Sequence, residues 1–257
     1  MTAVSGPTLL VLADSLAFHG PERGEPADDP RLWPNVAAAA LGGRAEIVAG
    51  IGWTARHAWH ALTHDPRVWA VMPGVDALVL GVGGMDTLPS PLPTALRELI
   101  PAVRPDRLRR IVRTGYRRLQ PALARGFART LPGGGPVALP PHLTVRHLEQ
   151  CRAAVLAIRP GIPVVATLPP VHRAAEYAHV HAGRPAAERA TRAWAAARDV
   201  ALLDLRALVE QHVMSGRGNP DGMHWGWSAH ADVGRACAEL LRAPTGSGYA
   251  DACALPS

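Results

Sequence analysis

Short apolar runs recur along the chain at residues 8–13, 45–49, 76–81, 163–167 and 200–205, each closed off by Gly, Pro or Asp. Runs of this length, rich in Val, Leu and Ile and lacking polar alternation, predict strands buried on both faces. Between them the apolar positions shift to helical spacing, over residues 36–41, 55–71, 94–103, 144–158, 186–198 and 228–241. Strand and helix in alternation predict the α/β class with a central parallel sheet of about five strands, because parallel neighbours need a crossover that a helix supplies.

The connection from the third strand to the fourth is long enough to predict a helical insertion or lid over about residues 92–142. Within it Leu108, Ile111, Val112, Tyr116 and Leu119 fall on one face of a helix whose other face is arginine, with Pro121 predicted to interrupt it. The remainder reads as one globular unit over 1–257, with a frayed Gly- and Ala-rich tail from about 244.

Composition agrees with a folded globular chain: of 257 residues, 48% are hydrophobic and 19% charged. Cys151, Cys237 and Cys253 are odd in number and far apart, which predicts buried thiols rather than a disulfide framework or a zinc site. The first apolar run is too short for a signal-peptide core and no stretch has transmembrane length, so a cytoplasmic protein without a membrane partner is expected. The net charge of +6 is carried by arginine alone. Nine arginines between Arg104 and Arg129 face only Asp106, a local field that fits a solvated face, a lid that binds phosphate or a membrane surface, or a nucleic-acid patch.

In open parallel sheets ligands bind beyond the carboxyl ends of the strands. Asp14 and Ser15 follow the first strand, Gly52, Trp53 and Thr54 the second, and Gly83, Gly84, Met85 and Asp86 the third, while Asp221 and His224 precede the last helix. A serine at a strand-to-helix turn can be a nucleophile or simply a helix cap. An Asp three residues before a His can orient the imidazole as a base, or form a structural hydrogen bond. If the sheet brings these positions to one rim, they supply nucleophile, oxyanion donors and base together.

These blocks, in this order, resemble the SGNH hydrolases, also called GDSL esterases. Residues 12–16 (LADSL) are similar to the GDSL block with Ala13 in place of its glycine, Gly52 matches the second block, residues 83–86 (GGMD) resemble the GxND block, and Asp221 to His224 match the final DxxH. The resemblance implies a three-layer SGNH-type, flavodoxin-like fold. It assigns Ser15 as nucleophile, His224 as base and Asp221 as its orienting partner, with the Ser15 and Gly52 N–H groups forming the oxyanion hole. Met85 stands where the family has a donor asparagine, and a thioether cannot donate. The Trp53 indole or a backbone N–H is then the expected substitute.

Further strings, DDPRLWPN at 28–35, IGWT at 51–54, GGMDTLPS at 83–90 and GRGNPDGMHW at 216–225, are similar to an acyl-transferring branch of the same family. That likeness implies transfer of an octanoyl-type group from acyl-CoA, as co-substrate, to a sugar hydroxyl of a glucosylglycerate, within methylglucose lipopolysaccharide synthesis. An esterase acting on acylated carbohydrates is the alternative, and a basic nucleic-acid or membrane-surface binding protein the rival of another class. Trp53, Gly84, Met85, Asp86 and Trp225 become candidate substrate contacts, the two tryptophans either as sugar platforms or as core. Arg109, Arg110, Arg113 and Arg117 become candidate donor-phosphate contacts. His57, His60, His64 and His172 lack ligand spacing, so neither a metal nor a resident cofactor is expected. Asp14 is expected to bond to local backbone, and His230 to lie behind the site.

Overall fold

The computed structural model describes residues 6–90, 99 and 102–243. Five strands, β1 (Thr8–Asp14), β2 (Arg44–Gly50), β3 (Ala77–Gly81), β4 (Val164–Leu168) and β5 (Ala201–Asp204), form one parallel sheet in the order β2-β1-β3-β4-β5. All five coincide with the predicted runs to within a residue or two.

Along β1 the alternation of side chains sends Leu9, Val11 and Ala13 to one core and Leu10 and Leu12 to the other, so polar residues are confined to its two ends, Thr8 and Asp14. The first core is closed by α1 (Trp33–Ala40), α7 (Leu205–Met214) and α8 (Trp227–Arg242); the second by α2 (Ala55–His64), α3 (Pro66–Val71), α5 (Pro141–Ile158) and α6 (Arg184–Arg198). At the α1–α8 crossing a Cβ on Gly234 would come 2.6 Å from Val36 Cβ, so only glycine permits this approach.

Three expectations are corrected. The helix predicted over 55–71 is two helices, because Asp65 leaves the helical conformation and caps α3 through the Arg67 N–H while Pro66 takes its first position. The arginine helix α4 (Asp106–Thr130) runs through Pro121 without stopping. Gln120 and Ala124 are buried on either side of the proline, and that packing offsets one lost backbone bond. An unforeseen helix, α7, follows β5 directly, its first turn capped by the Asp204 carboxylate accepting from Ala207 N. Most of the helix expected over 94–103, the tail beyond 243 and Cys253 lie outside the described residues. Among the described residues no helix is long and apolar enough to cross a membrane.

The order 2-1-3-4-5 places the topological switch between β1 and β3, so the chain leaves these strands in opposite directions and opens a crevice at their carboxyl ends. Connections after β1, β3 and β4 and the loop before α8 converge there.

Candidate active site

Asp14 ends β1 and caps the single turn Ser15–Ala17, its carboxylate accepting from Leu16 N at 3.0 Å. The cap is therefore Asp14 and not Ser15, whose hydroxyl is left to the crevice. Ser15 Oγ lies 2.8 Å from His224 Nε2, and His224 Nδ1 lies 2.6 Å from Asp221 Oδ2. The carboxylate makes Nδ1 the protonated nitrogen, so the serine hydroxyl donates to Nε2.

The loop before α8 shapes this row by local bonds. Asp221 Oδ1 accepts from the Met223 and His224 N–H groups, Asn219 Oδ1 accepts from Asp221 N, and Gly222 takes a φ of +75° that a side chain would strain. Burial opposes ionisation of Asp221, but the bonds from His224 and Met223 outweigh it and hold the carboxyl at about 2. It stays anionic beside an imidazole that gains charge whenever it takes the serine proton.

His19 stacks on His224, with ring centroids 3.8 Å apart and planes 20° from parallel. The chain holds it there twice, since His19 N donates to Ser15 O and the His19 carbonyl accepts from His230 Nε2. His230 is itself fully buried, with its Nδ1 accepting from Trp33 N. Its place behind the site agrees with expectation. His19 was not foreseen: it belongs to no motif, and only the turn at 15–24 brings it back to the base.

Around Ser15 the cleft is lined by Leu16, Gly84, Met85, Pro170, Val171 and Met223 and encloses about 30 Å³. Gly52 has a φ of +70°, and Met85 Cε lies 3.8 Å from the place a Cβ on Gly52 would occupy. The thioether thus fills the space next to the second-block glycine, and it packs against Leu88, Ala174 and Tyr177.

Other candidate contacts lie elsewhere. Trp225 is 1% exposed in the first core, its ring against His230, so it offers no face to a sugar. Asp86 is fully buried: Ala55 N donates to it at 3.1 Å and the Thr144 hydroxyl at 2.7 Å, which occupies the carboxyl in tying the β3 loop to α2. The turn at Gly52 throws the Trp53 indole back over Gly50 and beside His57, where it lines a cavity of about 780 Å³ along β2 and α2 rather than the Ser15 cleft. That position also removes its indole as a substitute oxyanion donor. Arg110 and Arg113 are exposed on α4, Arg109 meets Asp106 at 3.1 Å, and the Arg117 side chain is outside the described ones.

Burial pushes the Cys151 and Cys237 thiols up to about 12. Among the described residues no group of histidines, cysteines and carboxylates could hold a metal ion.

The five-stranded 2-1-3-4-5 sheet has the fold of solved lipases and acylhydrolases, a GDSL-like lipase among them, and carries a Ser–His–Asp row at its switch point. Solved structures with this fold include a lipase/acylhydrolase from Enterococcus faecalis (TM-score 0.58, 10% identity, 91% of this chain and 95% of that one) and TesA (TM-score 0.54, 17% identity, 91% and 98%). No family model matches the chain. Over 238 residues the chain is 52% identical to the diglucosylglycerate octanoyltransferase of Mycolicibacterium hassiacum, covering 91% of this chain and 93% of that protein, and over 235 residues 51% identical to that of Mycobacterium tuberculosis, covering 91% and 90%. The chain belongs to the diglucosylglycerate octanoyltransferase family.

Proposed function

We propose that this enzyme moves an octanoyl-type acyl group from acyl-CoA to a sugar hydroxyl of diglucosylglycerate or glucosylglycerate, in the cytoplasm, as a step of methylglucose lipopolysaccharide synthesis. The observation that carries the chemistry is the 2.8 Å contact between Ser15 Oγ and His224 Nε2, backed by Asp221 on the other ring nitrogen. The relatives' names supply the acyl group and the acceptor.

In the first half-reaction His224 takes the Ser15 proton, Oγ attacks the thioester carbonyl and the C–S bond breaks; the CoA thiol leaves with the proton from His224. In the second, His224 takes the proton of the sugar hydroxyl, whose oxygen attacks the acyl-enzyme, and Ser15 recovers its proton. One thioester and one alcohol become one ester and one thiol. The Ser15 and Gly52 N–H groups take the oxyanion in this reading, with the left-handed turn at Gly52 aiming its amide inward.

Arg109, Arg110 and Arg113, with Arg117 on the next turn, take the donor phosphates. Arg113 is in helical register with Gln120 and Ala124, which are buried, so this row of α4 faces the body of the enzyme.

The test is octanoyl-CoA incubated with and without glucosylglycerate acceptors, resolving acylated sugar from free octanoate. Acceptor-dependent sugar ester, with CoA released in equal amount, is expected. Free octanoate at an acceptor-independent rate would make the enzyme an esterase instead.

A further inference from the structure

Helix α4 carries an apolar stripe that no other described residue covers. Leu108 is 45% exposed, Ile111 68% and Leu119 60%, with Val112 and Leu123 exposed beside them. At about 100° per residue Leu108, Ile111, Val112 and Leu119 share one arc of the helix, its centre about 140° from buried Gln120 and Ala124, and Leu123 lies at the edge of that arc nearer to Gln120. The stripe runs about 22 Å from Leu108 to Leu123. Arg107, Arg118, Arg125 and Arg129 border it, all exposed, and among the described residues none of the four pairs with a carboxylate.

The geometry points to α4 as a surface-docking helix that lies on an anionic lipid bilayer, with the aliphatic stripe among the acyl chains and the bordering arginines on lipid phosphates. The charge selects this occupant. A second copy would set the four bordering arginines against four others, with Asp106 on the opposite side of each helix, so like charge opposes pairing of these faces. An acidic protein would have to match arginines along a helix of about 37 Å with a fixed row of carboxylates. Mobile headgroups meet each guanidinium wherever it lies. Apart from half-buried Tyr116 at its edge, the stripe consists of Leu, Ile and Val, whose gain on burial requires no matching pocket, and it carries no Trp or Met anchor of the protein–protein kind. The whole face is independent of the acyl-transfer reading, because none of these residues lines the Ser15 cleft.

Docking would bring the active site close to the bilayer. The middle of α4, at Thr114, Arg118 and Pro121, lies beside Ala175 and Glu176 of the turn Ala175–Tyr177, which continues from Pro170, Val171 and His172 at the cleft.

The experiment is co-sedimentation of the full chain with vesicles of phosphatidylcholine and phosphatidylglycerol in equal parts, and with phosphatidylcholine alone. Binding is expected to the mixed vesicles and to weaken as salt rises, since the lipid charge is screened within a Debye length. The double variant Ile111→Gln, Leu119→Gln changes two exposed side chains, so it should keep its melting temperature and its turnover of a short soluble ester while losing about tenfold or more in vesicle partitioning. Equal partitioning of variant and wild type, or no preference for the anionic vesicles, would overturn the proposal. So would a stable dimer in sedimentation velocity that the double variant dissociates while vesicle binding is unchanged, which would make the stripe a self-association face.

Discussion

Ser15 and His224 contribute little to holding the fold, because one is small and sits on a crevice and the other is fixed by a surface loop. Ser15→Ala and His224→Ala should therefore lower kcat at least about 10³-fold with the melting temperature unchanged within a few degrees. Turnover near wild type in either folded variant would remove the row from the mechanism. Met85 poses a finer question, since its thioether takes the space beside Gly52 where a donor amide would serve the oxyanion. Met85→Asn should raise hydrolysis of a short activated ester and lower octanoyl transfer, because the amide adds a donor but removes an adaptable apolar surface from the acyl path. Loss of both activities would show that the hole is already complete and that Met85 only shapes the pocket. At this scale Ser15, Asp221 and His224 were legible because each belongs to a short block whose spacing encodes a turn. His19 was not, since stacking on the base depends on a loop returning across space. For Trp225 the sequence left sugar platform and core both open, because adjacency to His224 in the chain says nothing about which way the next side chain points, and the fold places it in the core.

Asp86 shows how elements are tied together at the site. It follows β3, yet its carboxyl accepts from the first N–H of α2 and from Thr144 on α5, three elements joined at one buried group. Burial pushes Asp86 up to about 7 and Asp14 up to about 6, against the pull of their hydrogen bonds. A carboxyl raised in the fold stabilises it fully below the unfolded value of about 4, and that contribution is lost as pH rises through about 6 to 7. Asp86→Asn removes one of these groups while keeping an acceptor for Ala55 N, and Thr144 can turn its hydroxyl to Pro140 O, already 3.4 Å away. The stability of wild type relative to this variant should fall between about pH 4 and about pH 7 and level off above, as read from urea midpoints; a constant difference would mean that Asp86 stays ionised when buried. Buried His230 and His172, both pushed down to about 4 chiefly by desolvation, act in the opposite sense, which is why the difference and not the raw curve is the measure. Element boundaries were legible where side-chain chemistry is local. The Asp65–Pro66 pair and the Asp204 cap were present in the sequence, but the apolar run across β5 and α7 hid the change from strand to helix at Leu205. The continuation of α4 through Pro121 was not legible, because it depends on what Gln120 and Ala124 meet in the fold.

For the molecule as a whole, the sheet and its switch point were legible because double-sided burial writes an unbroken apolar run into every strand, and they fix where Ser15, Gly52 and His224 meet. The size of the cleft was not legible. At about 30 Å³ it has room on the scale of a single water, far below an eight-carbon chain. An acyl chain placed in this cleft requires side chains to withdraw. The strands around Ser15 are fixed by the ladder, so movement falls to the loops, where Met85 and Met223 pack on Leu88, Ala174 and Tyr177 and close the space beside the nucleophile. Methionine has three rotatable bonds and little shape preference, so two of them at one wall can part at small energetic cost. If the acyl chain enters between them, Met223→Ala should open that path permanently. The ratio of octanoyl to acetyl turnover should then rise several-fold, mainly through a lower KM for the longer chain, while acetyl turnover stays near wild type because Ser15, His224 and Asp221 keep their places. Matched kinetics with acetyl and octanoyl esters of one alcohol read this directly. A fall in the octanoyl ratio would mean that Met223 grips the chain rather than blocks it, and an unchanged ratio would place the acyl path on another side of Ser15.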